Sequence, residues 1–477
     1  MDFIIRNASV IDGTGSPRFC ADVGVDGGRI TALGDLSGSS ADAEMQAAGR
    51  VVAPGFIDVH THDDCALLTL GDMAPKVSQG VTTVVAGNCG VSLAPLRLTG
   101  WPPQPLDLLG DGRGFRFGHF GDFVEALESD PPATNAALLV GHITLRLGAM
   151  RDTSRAATDA EIADMQASVA EAMAAGAFGF STGLDYPNAA ASSTEEVIEL
   201  ARTAAGFGGV YASHTRNYFE DVEGALREAF DIAEHSGAPL ILSHHQVTGR
   251  DNFGRSRRTL AMIDEARARI SVALDAYPYD ASSKVLDPLR CRPGVRVKIT
   301  WSVPHPEMTG RDIDEIARGW GVDPVEAAER LLPAGAVYFQ LDEADVRRIL
   351  AYPETMIGSD GLPHDTHPHP RLWGTFPRVL GHYARDVGLF DLETAVRKMT
   401  AIPAAVFGLE GRGMIREGAF ADLVVFDPAT VRDAATFDQP VRPPVGIDLV
   451  MVNGAPVWRG GRATGERPGR VLRRGAA

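Results

Sequence analysis

Cysteine is scarce in this chain, since only four occur among 477 residues and they are widely spaced. So few cysteines do not form a disulfide framework, and we expect a reducing compartment, specifically the cytoplasm. No run of about eighteen apolar residues is present, which argues against a membrane-spanning helix. The first six residues, MDFIIR, also lack the basic and long apolar regions of a signal peptide.

Positive charge is in short supply as well. Lys and Arg number 45 against 62 Asp and Glu, which gives a formal net charge of −17. A nucleic-acid-binding protein would present a basic surface, so we expect neither a nucleic acid nor a membrane as partner. The hydrophobic share of 44% and the charged share of 22% are typical of a globular protein with a sizeable core. The oligomeric state stays open.

The two ends of the chain share a pattern that differs from the middle. Short alternating runs of apolar and polar residues, separated by Gly, Asp and Asn, occur from Phe3 to Val51 and return after about Gly411. This alternation is typical of antiparallel strands and hairpins. We therefore predict one small β-sandwich domain that is built from residues 1–52 and 412–477.

The middle of the chain, residues 53–411, alternates short apolar runs with helix-patterned segments. Eight buried strands separated by helices are the pattern of a TIM-like (β/α)8 barrel, so we predict a fold of the α/β class. The connection after the seventh run is long, which predicts an insert at about residues 280–345. The predicted strands are residues 56–62, 82–88, 136–142, 177–183, 209–214, 239–244, 271–278 and 355–360.

Side chains that can bind a metal stand at the ends of five of these runs. Taken singly, each has an ordinary alternative: a histidine satisfied by hydrogen bonds, a buried apolar cysteine or an aspartate that caps a turn. In a barrel, however, the C-terminal strand ends converge on one mouth, where active sites are built. Imidazole, thiolate and carboxylate together favour Zn²⁺ over Mg²⁺ or Ca²⁺. The six predicted ligands are His60, His62, Cys89, His214, His244 and Asp360.

Several motifs carry a resemblance to a known family. The chain resembles the amidohydrolase superfamily in APGFIDVHTHDD, SHTRN and SHH, and its D-aminoacylase (N-acyl-D-amino-acid deacylase) branch in GNCG and GSDGLPHD. The similarity extends over essentially the whole chain. It implies a zinc-dependent enzyme that hydrolyses the amide bond of small N-acyl-D-amino acids to a carboxylate and a free D-amino acid, by metal-activated water.

The resemblance also implies roles for individual residues. It places one tightly held zinc on Cys89, His214 and His244. A second, weaker metal position would involve His60, His62 and Asp360, and Asp360 would serve as the catalytic base and acid. Five further residues match positions that contact the substrate: Arg371 and Tyr277 at its α-carboxylate, Ser283 in the same pocket segment, and Tyr338 and Leu341 around its side chain.

Apart from the resemblance, some of these residues have simpler interpretations. Arg371 could form a surface ion pair, and Tyr277 could pack in the barrel rim. The family commonly has SHHK after the sixth strand, whereas this chain has Gln246 in place of the lysine. The insert carries basic residues at 284, 290, 292, 296 and 298. They form either a solvated loop or a basic lid that favours acidic side chains such as those of D-Glu and D-Asp.

Two other functions compete with deacylation. A hydantoinase- or dihydropyrimidinase-like hydrolase would usually carry a carbamylated lysine on the fourth strand, which reads AFGFSTG here. A non-catalytic scaffold would typically have lost metal ligands, and this chain keeps all six. The preference for D over L amino acids rests wholly on the resemblance.

Overall fold

Eight parallel strands form the centre of the computed structural model, which describes residues 1–292 and 294–475. Residue 293 of the predicted insert and residues 476 and 477 of the predicted C-terminal part lie outside the described residues. The strands are β1 (Phe56–Asp58), β2 (Val81–Ala86), β3 (Asn135–Gly141), β4 (Gly179–Gly183), β5 (Val210–His214), β6 (Leu240–Leu242), β7 (Val272–Ala276) and β8 (Thr355–Ile357).

The eight strands pair in chain order, and the sheet curls until its first and last members meet. The contact between them is made beyond the strands, where the backbone N–H of Asp360 donates to the carbonyl of His60 at 2.8 Å. A parallel bridge between Thr61 and Gly361 lies beside it. The predicted (β/α)8 barrel is therefore confirmed, and each strand falls within one of the eight predicted runs or overlaps it.

Burial explains why these segments form parallel strands. All seven residues of β3 are buried, as expected for strands that are covered by helices on one face and by the barrel interior on the other. The helix Val222–Ser236 shows the matching pattern, because it buries Leu226, Ala229, Phe230 and Ala233 at helical spacing. The α-helices are Asp64–Thr69, Ala74–Val77, Phe120–Ser129, His142–Ala149, Asp159–Ala174, Pro187–Ala190, Thr194–Gly206, Val222–Ser236, Ser256–Arg267, Ile313–Trp320, Pro324–Leu331, Glu343–Ala351, Arg371–Arg378, Leu392–Met399 and Ala401–Phe407, and a π-helix spans Val379–Asp386.

The two ends of the chain meet in one nine-stranded sheet. They join where Val51–Pro54 pairs antiparallel with Leu423–Phe426. One face of the sheet packs a cluster of apolar side chains contributed by both ends. The β domain predicted from both termini is thus present, with its strands joined in a single sheet. In order across the sheet, the strands are Arg462–Ala463, Ala455–Arg459, Ile447–Val452, Leu423–Phe426, Val51–Pro54, Phe3–Val10, Phe19–Asp26 and Arg29–Gly34, with Ala43–Gln46 paired to Phe3–Val10.

Two long connections cover the barrel mouth. The connection after β7 contains a three-stranded sheet of Ser282–Val285, Ala334–Phe339 and Arg296–Ser302, which packs its own apolar core with two helices. The connection after β2 contains the short strands Leu96–Arg97 and Arg116–Phe117 and the 3-10 helix Leu106–Leu109. Among the described residues, no helix combines the length and the apolar character that crossing a bilayer requires.

Candidate active site

The six predicted metal ligands are buried together at the C-terminal ends of the barrel strands. His214 is the last residue of β5, and the others follow β1, β2, β6 and β8 by two to four residues. Cys89, His244 and Asp360 have φ angles of 54°, 33° and 50°, a left-handed conformation that is uncommon for residues other than glycine. Such backbone conformations cluster at functional sites because the surrounding fold must hold them in place.

Most of these side chains are in direct contact. Nε2 of His60 lies 3.2 Å from Sγ of Cys89, which in turn lies 3.4 Å from Nε2 of His244. Nε2 of His62 lies 3.3 Å from Oδ1 of Asp360, and Nε2 of His60 lies 3.7 Å from the same oxygen. The structure therefore forms two groups that share His60: one with Cys89 and His244, and one with His62 and Asp360.

His214 borders the first group without being part of it. Its ring centroid lies 4.6 Å from that of His244, but its Nε2 lies 2.7 Å from Oδ1 of Asp185. The resemblance implied His214 as the third ligand beside Cys89 and His244, and in this structure His60 also lies against Cys89. The ligand role of His214 stays a prediction.

The donor set fits a zinc ion. Bonds of about 2.1 Å to nitrogen and 2.3 Å to sulfur at a tetrahedral angle put two ligand atoms roughly 3.5 Å apart, close to the separations around Cys89. Within the described residues, Nδ1 of His62, His214 and His244 is buried without a hydrogen-bond partner. A cation bound among these rings would fix their tautomers and orientations.

The charges of the site also suit a cation. Burial alone would raise the pKa of the Cys89 thiol, but the neighbouring imidazoles of His60 and His244 lower it well below its usual value. Burial likewise opposes the ionisation of Asp360, yet Arg371 and His62 hold its pKa well below the ordinary range. The site therefore offers a thiolate and a carboxylate, the ionised forms that bind metals.

Asp275 on β7 holds two of the histidines in place. Its Oδ2 accepts a hydrogen bond from Nδ1 of His60 at 3.3 Å, and its Oδ1 accepts one from the backbone N–H of His244 at 2.9 Å. Carboxylates that orient ligand histidines in this way are common around protein metal sites. The sequence shows only a buried aspartate within a strand, so this role depended on the fold.

A buried lysine supports the β1 and β8 ends of the site and had no recognisable signal in the sequence. Nζ of Lys76 donates to Oδ2 of Asp58 at 2.8 Å and to Oγ of Ser359 at 2.8 Å. Oδ1 of Asp58 also accepts a hydrogen bond from the backbone N–H of Ser359 at 2.8 Å. Because Ser359 precedes Asp360, this network holds that carboxylate against the histidines of β1.

Arg371 lies inside the site, so a surface ion pair is excluded. Its Nη1 lies 2.9 Å from Oδ2 of Asp360, its Nη2 donates to the carbonyl of Ser283 at 3.0 Å, and its Cζ lies 4.6 Å above the ring of Tyr277. Nε and Nη1 have no hydrogen-bond partner of acceptable geometry in the described part of the chain. The hydroxyl of Tyr277 donates to Oε1 of Gln246 at 2.6 Å.

The other predicted substrate residues divide into two groups. Tyr277 and Ser283 line a narrow cavity of about 30 Å³ together with the metal-type side chains. Tyr338 and Leu341 are not among the described residues that line it. Tyr338 packs in the core of the insert, where its hydroxyl accepts the backbone N–H of Asp287 at 2.8 Å, and Leu341 lines a neighbouring cavity.

Of the basic residues of the insert, Lys284 and Arg290 reach this cavity. Oδ2 of Asp185 lies 2.8 Å from Nζ of Lys284 and 3.5 Å from Nη2 of Arg290, and Nε of Arg290 also lies 3.2 Å from Oδ2 of Asp287. Arg292 is exposed. The remaining two, at 296 and 298, pair with an aspartate outside the cavity.

Comparison with known proteins agrees with the architecture of the fold. The amidohydrolase family model matches residues 43–264 and 292–458. A D-aminoacylase of Alcaligenes xylosoxydans xylosoxydans is 56% identical over 100% of this chain and 98% of its own length. An N-acyl-D-glutamate deacylase of the same organism is 49% identical over 100% of this chain and 97% of its own length.

Solved structures give the same result. The N-acyl-D-glutamate deacylase of Bordetella bronchiseptica, solved with zinc and a phosphonate mimic of the tetrahedral intermediate, has a TM-score of 0.96 at 50% identity, covering 99% of each chain. A D-hydantoinase reaches a TM-score of only 0.59 at 17% identity, which is a likeness of fold alone. The predicted family is confirmed: this chain is an enzyme of the amidohydrolase family and belongs to its N-acyl-D-amino-acid deacylase group.

Proposed function

We propose that this chain hydrolyses N-acyl-D-amino acids to a carboxylate and a free D-amino acid. The observation that carries the proposal is the position of Arg371, which is buried 2.9 Å from Asp360 at the edge of the Cys–His cluster. A buried guanidinium with N–H groups left to donate is suited to a carboxylate. Here the guanidinium lies beside the candidate metal ligands. This spacing matches a substrate whose α-carboxylate is next to the amide bond that is hydrolysed.

The metal that we propose is zinc, with one tight site and a weaker second site. Cys89, His214 and His244 would hold the first ion, and His60, His62 and Asp360 would hold the second. When bound, zinc supplies Lewis acidity, which polarises a carbonyl and makes water more acidic. The contacts of His60 with both Cys89 and Asp360 support two positions close to one another.

Asp360 is the group that we propose to move the proton. Its low pKa keeps it ionised, so it can take a proton from the attacking water as that oxygen bonds to the amide carbon. The same carboxyl group then delivers this proton to the amide nitrogen as the C–N bond breaks. The proton that is taken up is thus returned to the leaving amine, and Asp360 ends the cycle ionised.

Substrate orientation is the proposed task of Arg371, Tyr277 and Ser283. Arg371 would hold the α-carboxylate through the N–H groups that are not hydrogen-bonded to protein, while its stacking on Tyr277 keeps the guanidinium plane fixed. Tyr338 and Leu341 remain proposed contacts of the substrate side chain. Since neither is among the described residues that line the cavity, we propose that the insert shifts when substrate binds.

We infer a preference for acidic side chains as a second, finer proposal. Lys284 and Arg290 line the cavity, where Asp185 pairs with both of them and Asp287 also pairs with Arg290. Positively charged donors at the cavity wall support a substrate with a second carboxylate, as in N-acyl-D-Glu or N-acyl-D-Asp. Gln246, at the position where the family commonly has lysine, does not add to this charge.

The competing functions have less support. In the described barrel, β4 carries no lysine that could bridge two metals, and the likeness to a hydantoinase is one of fold alone. A non-catalytic scaffold does not explain why metal-type ligands, Asp360 and Arg371 remain assembled in one buried site. We also propose domain limits of 1–52, 53–411 and 412–477, and a cytoplasmic location, because the Cys89 thiolate needs reducing conditions to stay available.

The decisive experiment is a hydrolysis screen with paired N-acetyl-D- and N-acetyl-L-amino acids, including Met, Leu, Phe, Asp and Glu. Metal content is measured on the same preparation. We expect amine release from the D series only, with Glu and Asp among the better substrates. Turnover of the L series alone would overturn the proposal, and a metal-free, inactive protein would revive the scaffold.

A further inference from the structure

A second cleft opens beside the candidate active site. It has a volume of about 530 Å³, within the range of pockets that enclose small organic ligands. Its wall includes apolar side chains of the segment after β1 and of the connection after β2, namely Ala66, Leu68, Leu70, Leu108 and Leu109. Polar and charged side chains line the rest of it: Thr69, Arg116, His364 and an exposed ion pair of Asp111 with Arg113 at 2.8 Å.

The cleft and the active-site cavity share part of their walls. His62 and Leu108 line both of them. Nε2 of His62 lies 3.3 Å from Oδ1 of Asp360, the proposed proton carrier, so the cleft begins next to the reacting groups. The five residues that we assign to the α-carboxylate and to the amino-acid side chain are not among the described residues that line the cleft.

This arrangement leaves the cleft for the remaining part of the substrate. Around the scissile amide, the α-carboxylate and the side chain both belong to the amino acid, whereas the acyl chain extends from the carbonyl carbon itself. An acyl chain must therefore start where the carbonyl is attacked, beside Asp360 and His62. The apolar wall that continues from His62 suits a hydrocarbon chain.

We propose that this cleft is an acyl-chain subsite and that the enzyme prefers N-acyl groups longer than acetyl. The inference rests on the proposed deacylase function and specifies its acyl donor. A bound acyl chain packs against Leu68, Leu70 and Leu108, and its far end reaches water near Arg113, whose side chain is 90% exposed.

The test is a chain-length series of N-acyl derivatives of one D-amino acid, from acetyl through butanoyl and hexanoyl to octanoyl. Each buried methylene contributes up to about fourfold in kcat/KM, so we expect at least about a tenfold increase from acetyl to octanoyl. A flat or falling series in the wild-type enzyme would overturn the subsite.

Variants separate an acyl subsite from a simple entrance. Leu70 is 39% exposed, so L70D places a charge in the cleft at little structural cost. We expect it to remove the gain with chain length and to leave acetyl turnover unchanged. F207D, at a residue 50% exposed outside both cavities, is the matched control, and thermal unfolding checks the fold of each variant. An equal loss of kcat/KM for acetyl and octanoyl substrates would mean that the cleft is only a route by which substrates enter the active site.

Binding of the products supplies a readout that does not depend on turnover. By calorimetry, octanoate should bind at least about tenfold more tightly than acetate, and L70D should remove most of this difference. If no N-acyl-D-amino acid is hydrolysed, the deacylase function fails, while the octanoate measurement still decides whether the cleft binds acyl chains. Equal affinities for octanoate and acetate would overturn the subsite in either case.

Discussion

Nη1 of Arg371 lies 2.9 Å from Oδ2 of Asp360, and this ion pair joins the proposed substrate anchor to the proposed proton carrier. Arg371 is almost completely buried, and Asp360 pairs with it on the side that faces the candidate metal ligands. A substrate carboxylate must share the guanidinium with Asp360. Substrate binding and the electrostatic environment of the proton carrier are therefore coupled through one side chain.

Replacing Arg371 tests this coupling. Arg371→Lys keeps the positive charge but loses the planar fork, so it should reduce kcat/KM by about 10- to 100-fold, the value of one charged hydrogen bond. We expect most of the loss in KM, because the lysine still faces Asp360. Steady-state kinetics measures kcat and KM, and Arg378→Lys, at a partly buried arginine on the same helix, is the control. An unchanged KM would remove Arg371 from substrate binding.

Cys89 should be required for metal binding. Cys89→Ser replaces the thiolate by a weakly coordinating hydroxyl, so we expect the purified protein to lose most of its zinc and its activity. Cys65→Ser, which changes a half-buried thiol outside the two ligand groups, is the matched control and should keep both. Metal analysis of the two variants decides, and full zinc occupancy in Cys89→Ser would contradict the assignment.

Asp275 should act as a positioning residue for His60 and His244. Asp275→Asn keeps the size of the side chain but weakens its hold on the imidazole, so zinc affinity should fall by about 10- to 100-fold. Competition with a chelator measures this affinity, and excess zinc should restore part of the activity. The exposed Asp280→Asn serves as the control. Equal zinc affinities in both variants would show that Asp275 has no such role.

The charges of the insert should set the preference between substrates. Arg290→Met removes a cation from the cavity, so the ratio of kcat/KM for N-acetyl-D-Glu to that for N-acetyl-D-Leu should fall by about tenfold. Arg292→Met removes an exposed cation two residues away and should leave the ratio unchanged. If Arg290→Met has the same ratio as the wild type, the preference for acidic side chains is contradicted.

A buried ion pair away from the site predicts the acid response of the fold. Oε1 of Glu196 lies 2.8 Å from Nε2 of His142 and 2.5 Å from Nη1 of Arg146. Burial opposes its charge, but these partners lower the pKa of Glu196 to about 2, below the usual 4.5. The folded state therefore binds this proton less readily than the unfolded state. Its stabilisation is fully present above about pH 4.5 and is lost as the pH falls toward 2.

Thermal unfolding between pH 6 and pH 2 tests this prediction. Glu196→Gln should be less stable than the wild type at pH 6 by about 3–5 kcal/mol, since it leaves Arg146 buried without its partner. The difference should shrink as the pH approaches 2, because Glu196 then becomes neutral in the wild type. A difference that does not vary with pH would mean that Glu196 does not titrate in this range.

The sequence by itself determined the barrel and the set of candidate ligands. Continuous apolar runs such as AALLVG can be satisfied only by burial on both faces, and a parallel barrel places the residues that follow each run at one mouth. His60, Cys89 and Asp360 could therefore be placed together from one-dimensional information. Motifs local to a strand end, such as GNCG, carried the family resemblance for the same reason.

Only the tertiary structure decided how these residues are partnered. Arg371 with Asp360, Asp275 with His60, and Asp185 with Lys284 are contacts between side chains brought together by closure of the barrel and by folding of the insert over its mouth. Their distances depend on side-chain packing in three dimensions, which has no periodic trace in the chain. The scarcity of cysteine is a property of the sequence, but the environment that ionises Cys89 comes from the imidazoles of His60, His244 and His214, at three other strand ends.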